Sequence, residues 1–286
     1  MSYAPCRQRT FPLRLAGRFE VHYVTYLRWL RHFLERLGRE PTLAVWEEAF
    51  GDYDEELLLQ ILSSGWEGVE EECSAEVEER IADTLAALFP VPVEGMPAEQ
   101  AREIVEGSSP FRQIRQRLPS LDLKRETTTY DALHLFRNGL ALLAEAMIDR
   151  HGKAGELMVY DAMLEELAST PGQVSVEDFM SQRYARWSTE PEEADIFSAG
   201  LEAEMIRASD AEVVNSITEC EWSRYYRERH PRVGYLLACS MDHPAYRSLN
   251  ERLRLQRTCT LMEGGEACDF RVYAIAEAFV AGEPGG

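Results

Sequence analysis

The chain has 286 residues, 45% of them hydrophobic, which is enough for one large domain or two modest ones with a proper core. Its formal net charge of -20 argues against nonspecific binding to DNA, RNA or anionic lipid, which needs a surface rich in lysine and arginine. No stretch has the roughly 18 uncharged apolar residues of a membrane span, and no secretory signal is visible. We therefore expect a cytoplasmic protein with reduced cysteines.

The N-terminal half is predicted to be helical. Residues 1–18 lack periodicity and are expected to form an arm. From Phe19 to Leu37 apolar residues recur every three or four positions, which predicts an amphipathic helix that Gly38 closes. Short helices follow, and the section 107–125, which contains Ser-Ser-Pro and Leu-Pro-Ser, is the expected boundary between two halves. The predicted division is a helical region over 1–126 and an α+β domain over 127–286.

The second half is predicted to begin with two helices, at 127–150 and 153–168, which Gly152 separates. The segment Phe197–Ala208 is predicted as another short helix. The sequence contains no internal repeat and no long low-complexity segment.

The last quarter of the chain changes character and is predicted to form a sheet. Glu212–Thr218 is β-branched and partly alternating, which predicts a strand that delivers Cys220 at its end. Leu255–Met262 and Ala267–Ile275 are predicted to form a hairpin around a Glu-Gly-Gly turn. The expected fold class is α+β, with a predominantly helical N-terminal half and a small C-terminal antiparallel sheet packed against helices.

Four cysteines lie in this sheet region, and three interpretations of them compete. The first is thiol or acid-base catalysis, because Cys239 precedes a predicted helix start that would lower a thiol pKa, with Asp242 and His243 close behind. The second is a zinc site made of Cys220, Cys239 and Cys268, although these thiols lack CxxC spacing. The third is that the cysteines only pack, since free cysteine is among the most buried residue types.

A longer pattern of residues distinguishes among these interpretations. Its positions are Cys220, Cys239, Asp242, Asn250, Arg257, Thr258, Gly265, Cys268, Asp269 and Phe270. The pattern, with its Cys-x-x-Asp and its closing Gly-x-x-Cys-Asp-Phe, resembles that of the L-2-amino-thiazoline-4-carboxylic acid hydrolase family. The resemblance is clearest over residues 210–275 and extends back to about residue 127.

The hairpin is also similar, more weakly, to that of 4-vinyl reductase-type ligand-binding domains. In related sensor domains the hairpin helps to bind zinc through an additional glutamate and cysteine. At the matching places this chain has Arg257 and Thr260, so the resemblance does not supply a complete zinc site.

The hydrolase resemblance implies hydrolytic opening of a small cyclic amidine that carries a carboxylate. Such chemistry needs attack at the amidine carbon and a proton donor for the departing atom. We hypothesise that Cys239 is the nucleophile or acid-base group, that Asp242 positions it, and that Cys268 lies nearby across the hairpin.

The same hypothesis assigns residues to substrate binding. Arg257 would bind the substrate carboxylate through two hydrogen bonds, and Asn250 and Glu263 would bind the amidine nitrogens. The expected partner is a small molecule, without nucleic acid or membrane and without a required cofactor, and the sequence is compatible with a homo-oligomer. The alternative is a non-enzymatic small-molecule-binding or sensor domain, in which the three cysteines would hold a structural zinc.

Overall fold

The structure is a computed structural model that describes residues 6–51, 53, 56–63, 65–68, 73–108, 111–117, 123–169, 174–181 and 199–276. The chain divides into two compact units. The helical unit consists of Pro12–Thr127 and Asp131–Ala162, and the sheet unit consists of Met1–Phe11, Thr128–Tyr130 and Met163–Gly286. The division into domains at residue 126 stays a prediction. Among the described residues, no helix has both the length and the apolar character that crossing a membrane requires.

The helical unit is built from seven helices and three short strands within the described residues. The helices are α1 (Leu15–Leu37), α2 (Arg39–Gly51), α3 (Glu56–Leu62), α4 (Cys73–Leu88), α5 (Ala98–Gly107), α6 (Phe111–Arg117) and most of α7 (Thr129–Ala168). The strands are β1 (Thr10–Arg14), β2 (Glu67–Gly68) and β3 (Leu123–Thr128), in the order β1-β3-β2. The predicted helix that ends at Gly38 is confirmed, and Gly38 has a φ of 80°.

Two of these strands correct the sequence interpretation. β1 lies in the segment that is expected to form an arm, and β3 begins within the last residues of the expected boundary section, 107–125. β1 and β3 pair with each other across more than a hundred residues of chain, and β3 pairs with β2 across more than fifty, so no local sequence pattern predicts the pairing.

Helix α1 is the core of the helical unit because one face of it is aromatic and fully buried. Phe111 of α6 packs against this face, with its ring centroid 5.1 Å from that of Phe19 and 4.8 Å from that of Tyr26, both edge to face. Burying each such ring contributes about 1.5–3 kcal/mol, so these contacts attach the short helix α6 to α1.

Helix α7 contains the break that the sequence predicted. Gly152 has non-helical dihedrals, φ 57° and ψ -133°, so the chain forms two helices in succession. A positive φ favours glycine because it has no Cβ. The bend also brings the backbone of the first helix against Gly155, where a Cβ would lie 2.2 Å from the carbonyl oxygen of Met147.

We expect Gly155→Ala to destabilise the protein by about 2–3 kcal/mol, because the clashing atom is backbone and cannot move alone. Gly107→Ala is the matched control, since no heavy atom lies within 4 Å of a Cβ built there. Denaturant unfolding of both variants measures the difference. Equal stability of the two would show that the α7 bend is not as tight as the structure indicates.

The sheet unit contains a four-stranded antiparallel sheet of order β4-β5-β7-β6. The strands are β4 (Leu201–Ala208), β5 (Glu212–Cys220), β6 (Leu253–Gln256) and β7 (Cys268–Ala274), and the helices that carry the site are α8 (Glu221–Arg229) and α9 (Asp242–Leu249). Residues 176–181 are also helical. They contribute Val176, Phe179 and Met180 to a buried cluster with the sheet residues Val213, Leu253 and Phe270. The predicted α+β class and the strand leading to Cys220 are confirmed.

The helix predicted over residues 197–208 is wrong for 201–208, which form β4; residues 197 and 198 lie outside the described part of the chain. The sequence Leu-Glu-Ala-Glu-Met-Ile-Arg-Ala has high intrinsic helix propensity. Pairing with β5 along its whole length overrides that preference, which is a tertiary effect.

The predicted hairpin is confirmed, but its first strand is shorter than expected. β6 ends at Gln256, and the connection contains a 3₁₀ turn, Leu261–Glu263, followed by Gly264 with a φ of 90°. The chain leaves the ladder because Asp269 accepts hydrogen bonds from the backbone N–H groups of Thr258 and Cys259, at 2.8 and 2.7 Å.

Candidate functional site

Three cysteines meet at one end of the sheet of the sheet unit. Cys220 ends β5 and is also the N-cap of α8, where its sulfur accepts a hydrogen bond from the Ser223 N–H at 3.4 Å. Cys268 begins β7 and pairs with Ile217 of β5. Cys239 ends a π-helical turn, Tyr235–Cys239. We call Cys220, Cys239 and Cys268 the thiol cluster.

The turn that carries Cys239 is unusual in itself. The Ser240 N–H donates to the carbonyl of Tyr235 at 2.8 Å, so the hydrogen bond spans five residues instead of four. Such π turns are rare and are frequent at functional sites.

Burial and charged neighbours shift the pKa values of the three thiols. Burial is the main reason that the pKa of Cys220 is raised to about 12. The hydrogen bond from the Ser223 N–H opposes this shift, and Cys268 and Asp242 add to it. Burial also raises the pKa of Cys239, and Asp242 adds to the shift while the Arg257 guanidinium opposes it. Burial raises the pKa of Cys268, although a hydrogen bond from the Leu261 N–H and the charge of Arg257 both act to lower it.

The direction of the Cys239 shift is opposite to the one that the sequence predicted. The N-cap of α9 is Met241, so Cys239 does not occupy the helix start whose dipole would stabilise a thiolate. Burial and the adjacent carboxylate then dominate. All three thiols are therefore protonated at neutral pH.

One buried ion pair adjoins the cluster. Arg257 forms a salt bridge with Asp242 and donates a second hydrogen bond to the carbonyl of Cys239 at 3.0 Å. The Arg257 side chain is 3% exposed, while that of Asp242 is 32% exposed. The guanidinium also lies 5.2 Å from the centroid of the Phe270 ring. The pKa of Arg257 is raised because Asp242 outweighs the effect of burial.

The structure thus brings together five of the residues predicted for the site: the thiol cluster, Asp242 and Arg257. It gives Arg257 a carboxylate partner within the protein, so a substrate carboxylate would have to share or replace Asp242. Asp242 is placed to act on Cys239 through charge and through Arg257.

Asn250 and Glu263, the residues predicted to bind amidine nitrogens, make structural hydrogen bonds. The Asn250 amide donates to the Val174 carbonyl at 2.9 Å and accepts from the Arg252 N–H at 2.9 Å. Glu263 accepts a hydrogen bond from the Thr260 hydroxyl at 2.8 Å, and its own N–H donates back to that hydroxyl at 3.1 Å. Both residues therefore stabilise the ends of local elements, and a role in substrate binding stays a prediction.

Asp269 belongs to the same motif and holds the β6–β7 connection in place. It accepts two backbone N–H groups and the Thr258 hydroxyl, the last at 2.6 Å. Burial opposes ionisation, but these hydrogen bonds prevail and hold the pKa of Asp269 at about 2, below the ordinary 3.8.

We expect Asp269→Ala to destabilise the protein at pH 7 by about 1–2 kcal/mol through the lost hydrogen bonds. Because the folded state depresses this pKa, the stabilisation is present above the ordinary value of 3.8 and is lost as the pH falls toward about 2. Denaturant unfolding between pH 7 and pH 2 should show the two proteins converging in acid. Glu266→Ala, on the exposed part of the same connection, is the control. If the difference in unfolding free energy between the two proteins stays constant with pH, the ionised Asp269 carboxylate is not the source of the stabilisation.

The zinc interpretation finds no geometric support within the described residues. No group of three or more His, Cys, Asp or Glu side chains there has the arrangement that a metal ion needs. The presence of zinc is a matter for metal analysis.

The sequence interpretation missed a surface cavity of about 520 Å³ beside the cluster. Cys220 lies on its wall together with charged residues of β5 and α8, and Arg7 comes to it from the N-terminal segment. The spacing of Arg224 and Arg227 by three on α8, which puts both on one helix face, was the one available signal. No sequence signal pointed to Arg7, because residues 1–18 were interpreted as an arm.

Residues 133–272 match the family model described as L-2-amino-thiazoline-4-carboxylic acid hydrolase. This region of the chain belongs to that family. It contains the thiol cluster, Asp242 and Arg257, whereas Arg7 lies outside it. No curated protein and no solved structure matches the chain.

Proposed function

We propose that the protein is a hydrolase that opens a small cyclic amidine or amide bearing a carboxylate, of the kind that gives the family its name, at a cysteine-centred site. The observation that supports this most is that three thiols lie in the same part of the family-matched region as the Arg257–Asp242 ion pair, whose arginine is buried. Clustered thiols beside a fixed cation fit nucleophilic or proton-transfer chemistry.

Cys239 is the best candidate for the reacting thiol. It is partly exposed, whereas Cys268 is 6% exposed. Arg257 favours the thiolate forms of Cys239 and Cys268. Cys239 is thus accessible to a substrate and lies near a cation that stabilises its thiolate.

The raised thiol pKa values determine how the nucleophile is made. A thiol that is protonated at rest must lose its proton when the substrate arrives, and the unprotonated form of the substrate amidine can accept it. The Cys239 sulfur then forms a bond to the amidine carbon, the ring bond from that carbon to sulfur breaks, and the departing sulfur leaves as a thiol with the transferred proton. Water then attacks the same carbon, the bond between that carbon and the Cys239 sulfur breaks, and the water oxygen becomes the carbonyl oxygen of the product. One water proton returns to Cys239 and the other stays on the former amidine nitrogen.

The test is turnover of L-2-amino-thiazoline-4-carboxylate by the purified protein, measured as the appearance of a new free thiol and the loss of the intact ring. A panel of cyclic amidines and cyclic amides with and without a carboxylate defines the substrate class. Metal content is measured on the same sample. Absence of ring opening across the panel would refute the proposed activity.

A second candidate function is binding of such a molecule without turnover, as in a sensor or carrier. The burial of the three thiols, which raises the pKa of each, favours this candidate because it is typical of thiols that only pack. Saturable binding without ring opening would support this candidate, and stoichiometric zinc with unreactive thiols would support its structural-zinc form.

A further inference from the structure

The cavity beside the thiol cluster is formed by parts of the chain that are distant in sequence. Cys6 donates a hydrogen bond to the Glu219 carboxylate at 3.3 Å across 213 residues of chain. Three residues later, Arg9 donates to the Leu201 carbonyl at 3.0 Å and pairs with Glu202. These contacts attach the N-terminal segment to β4 and β5, so Arg7 is held at the cavity.

The charges at the cavity divide into those used within the protein and those available to a ligand. Glu221 is 3% exposed and pairs with Arg224, whose guanidinium also lies 4.4 Å from the centroid of the Tyr130 ring. Arg7 and Arg227 are exposed, and among the described residues neither forms an ion pair. Arg227 is oriented by a hydrogen bond to the Leu261 carbonyl at 3.1 Å.

The negative side of the cavity is provided by Glu219. Its carboxylate is exposed and accepts a hydrogen bond from the neutral Cys6 thiol, and it forms no ion pair with any residue that the structure describes. The cavity therefore presents the guanidinium groups of Arg7 and Arg227 and the carboxylate of Glu219, with the Cys220 thiol on the same wall. Glu228 also lines the cavity, but its carboxylate accepts a hydrogen bond from the Tyr130 hydroxyl at 3.0 Å and lies 3.9 Å from the Arg224 guanidinium. Its volume of about 520 Å³ falls within the roughly 300–1,000 Å³ of small-molecule sites.

We propose that this cavity binds a small zwitterionic molecule, with its carboxylate at Arg7 and Arg227 and its amidinium or ammonium group at Glu219. The assignment rests on the proposed function in its choice of ligand, because a carboxylated cyclic amidine carries both groups. It assigns the substrate carboxylate to Arg7 and Arg227 instead of Arg257, whose guanidinium is occupied by Asp242. Of the thiol cluster, Cys220 lines this cavity, whereas Cys239 and Cys268 are not among its lining residues.

Calorimetric titration tests the assignment with two probes, L-2-amino-thiazoline-4-carboxylate and 2-amino-thiazoline, which lacks the carboxylate. Titrations use the full chain carrying Cys239→Ser, so that turnover does not consume the probe. Arg227→Gln is expected to weaken binding of the carboxylated probe about tenfold or more and to leave the other probe unaffected. Glu219→Gln is expected to weaken both. Arg247→Gln and Glu266→Gln are controls of equal charge change outside the cavity.

The two proposals fail separately. Unchanged affinity for the carboxylated probe in both Arg227→Gln and Glu219→Gln would overturn the cavity assignment even if the protein with Cys239 intact turns the probe over. If these variants lose affinity as expected but the protein with Cys239 intact does not turn the probe over, the cavity is upheld as a zwitterion site and the hydrolase activity is refuted. Melting temperatures of all variants confirm that each is folded.

Discussion

Replacing Asp242 by alanine is expected to destabilise the folded protein by about 3 kcal/mol, because the substitution leaves the Arg257 charge buried without its carboxylate. Arg257 is the more buried partner, at 3% side-chain exposure against 32% for Asp242. Its remaining contacts, to the Cys239 carbonyl and to the rings of Phe270 and Tyr235, compensate only in part. Chemical denaturation at neutral pH gives the free energy of unfolding.

The double variant Asp242→Ala with Arg257→Met is the informative control. Removing both charges and retaining an apolar side chain of similar length should recover part of the lost stability, since the penalty comes from an unpaired buried charge. Glu266→Ala controls for the loss of one negative charge in a highly acidic protein. If the unfolding free energy of Asp242→Ala lies within about 0.5 kcal/mol of that of the unmodified protein, the ion pair does not stabilise the site.

Cys239→Ser is expected to lower kcat by about a thousandfold or more while leaving the fold intact. Serine preserves the shape of the side chain but is a far weaker nucleophile without an added base. The assay is steady-state ring opening, with the melting temperature recorded for each protein. With Cys239 present, the rate should rise with pH through the neutral range, because the raised pKa of Cys239 means that thiolate is scarce there.

Cys259→Ser is the matched control for Cys239→Ser. Cys259 is exposed in the β6–β7 connection, where its thiol donates to the Ala267 carbonyl at 3.2 Å, and we expect turnover within twofold of normal. Cys220→Ser and Cys268→Ser complete the series and separate the reacting thiol from its neighbours. Full activity of Cys239→Ser would reject Cys239 as the nucleophile.

The sequence alone was sufficient where structure follows from local patterns. The 3.6-residue periodicity before Gly38 identified α1, and β-branched residues identified the strand that ends at Cys220. The spacing from Cys220 to Phe270 identified the family, because motif spacing is a property of the chain and does not depend on packing.

What the tertiary structure decided depends on contacts between distant residues. The segment 201–208 is a strand only because β5 pairs with it, against its own helical preference. The thiol pKa values rise because of burial and because Asp242 lies among the thiols, neither of which is visible in a sequence.

The site itself shows the same division. Its residue types were predictable from the motif, but their partners were not: Arg257 pairs with Asp242, and Glu263 pairs with Thr260. The cavity at Cys220 depends on Cys6 reaching Glu219 across 213 residues. Spacing along the chain determines which groups are present, whereas the fold determines which charges meet and how much water they retain. The pKa values and the binding geometry of this site therefore follow from the fold.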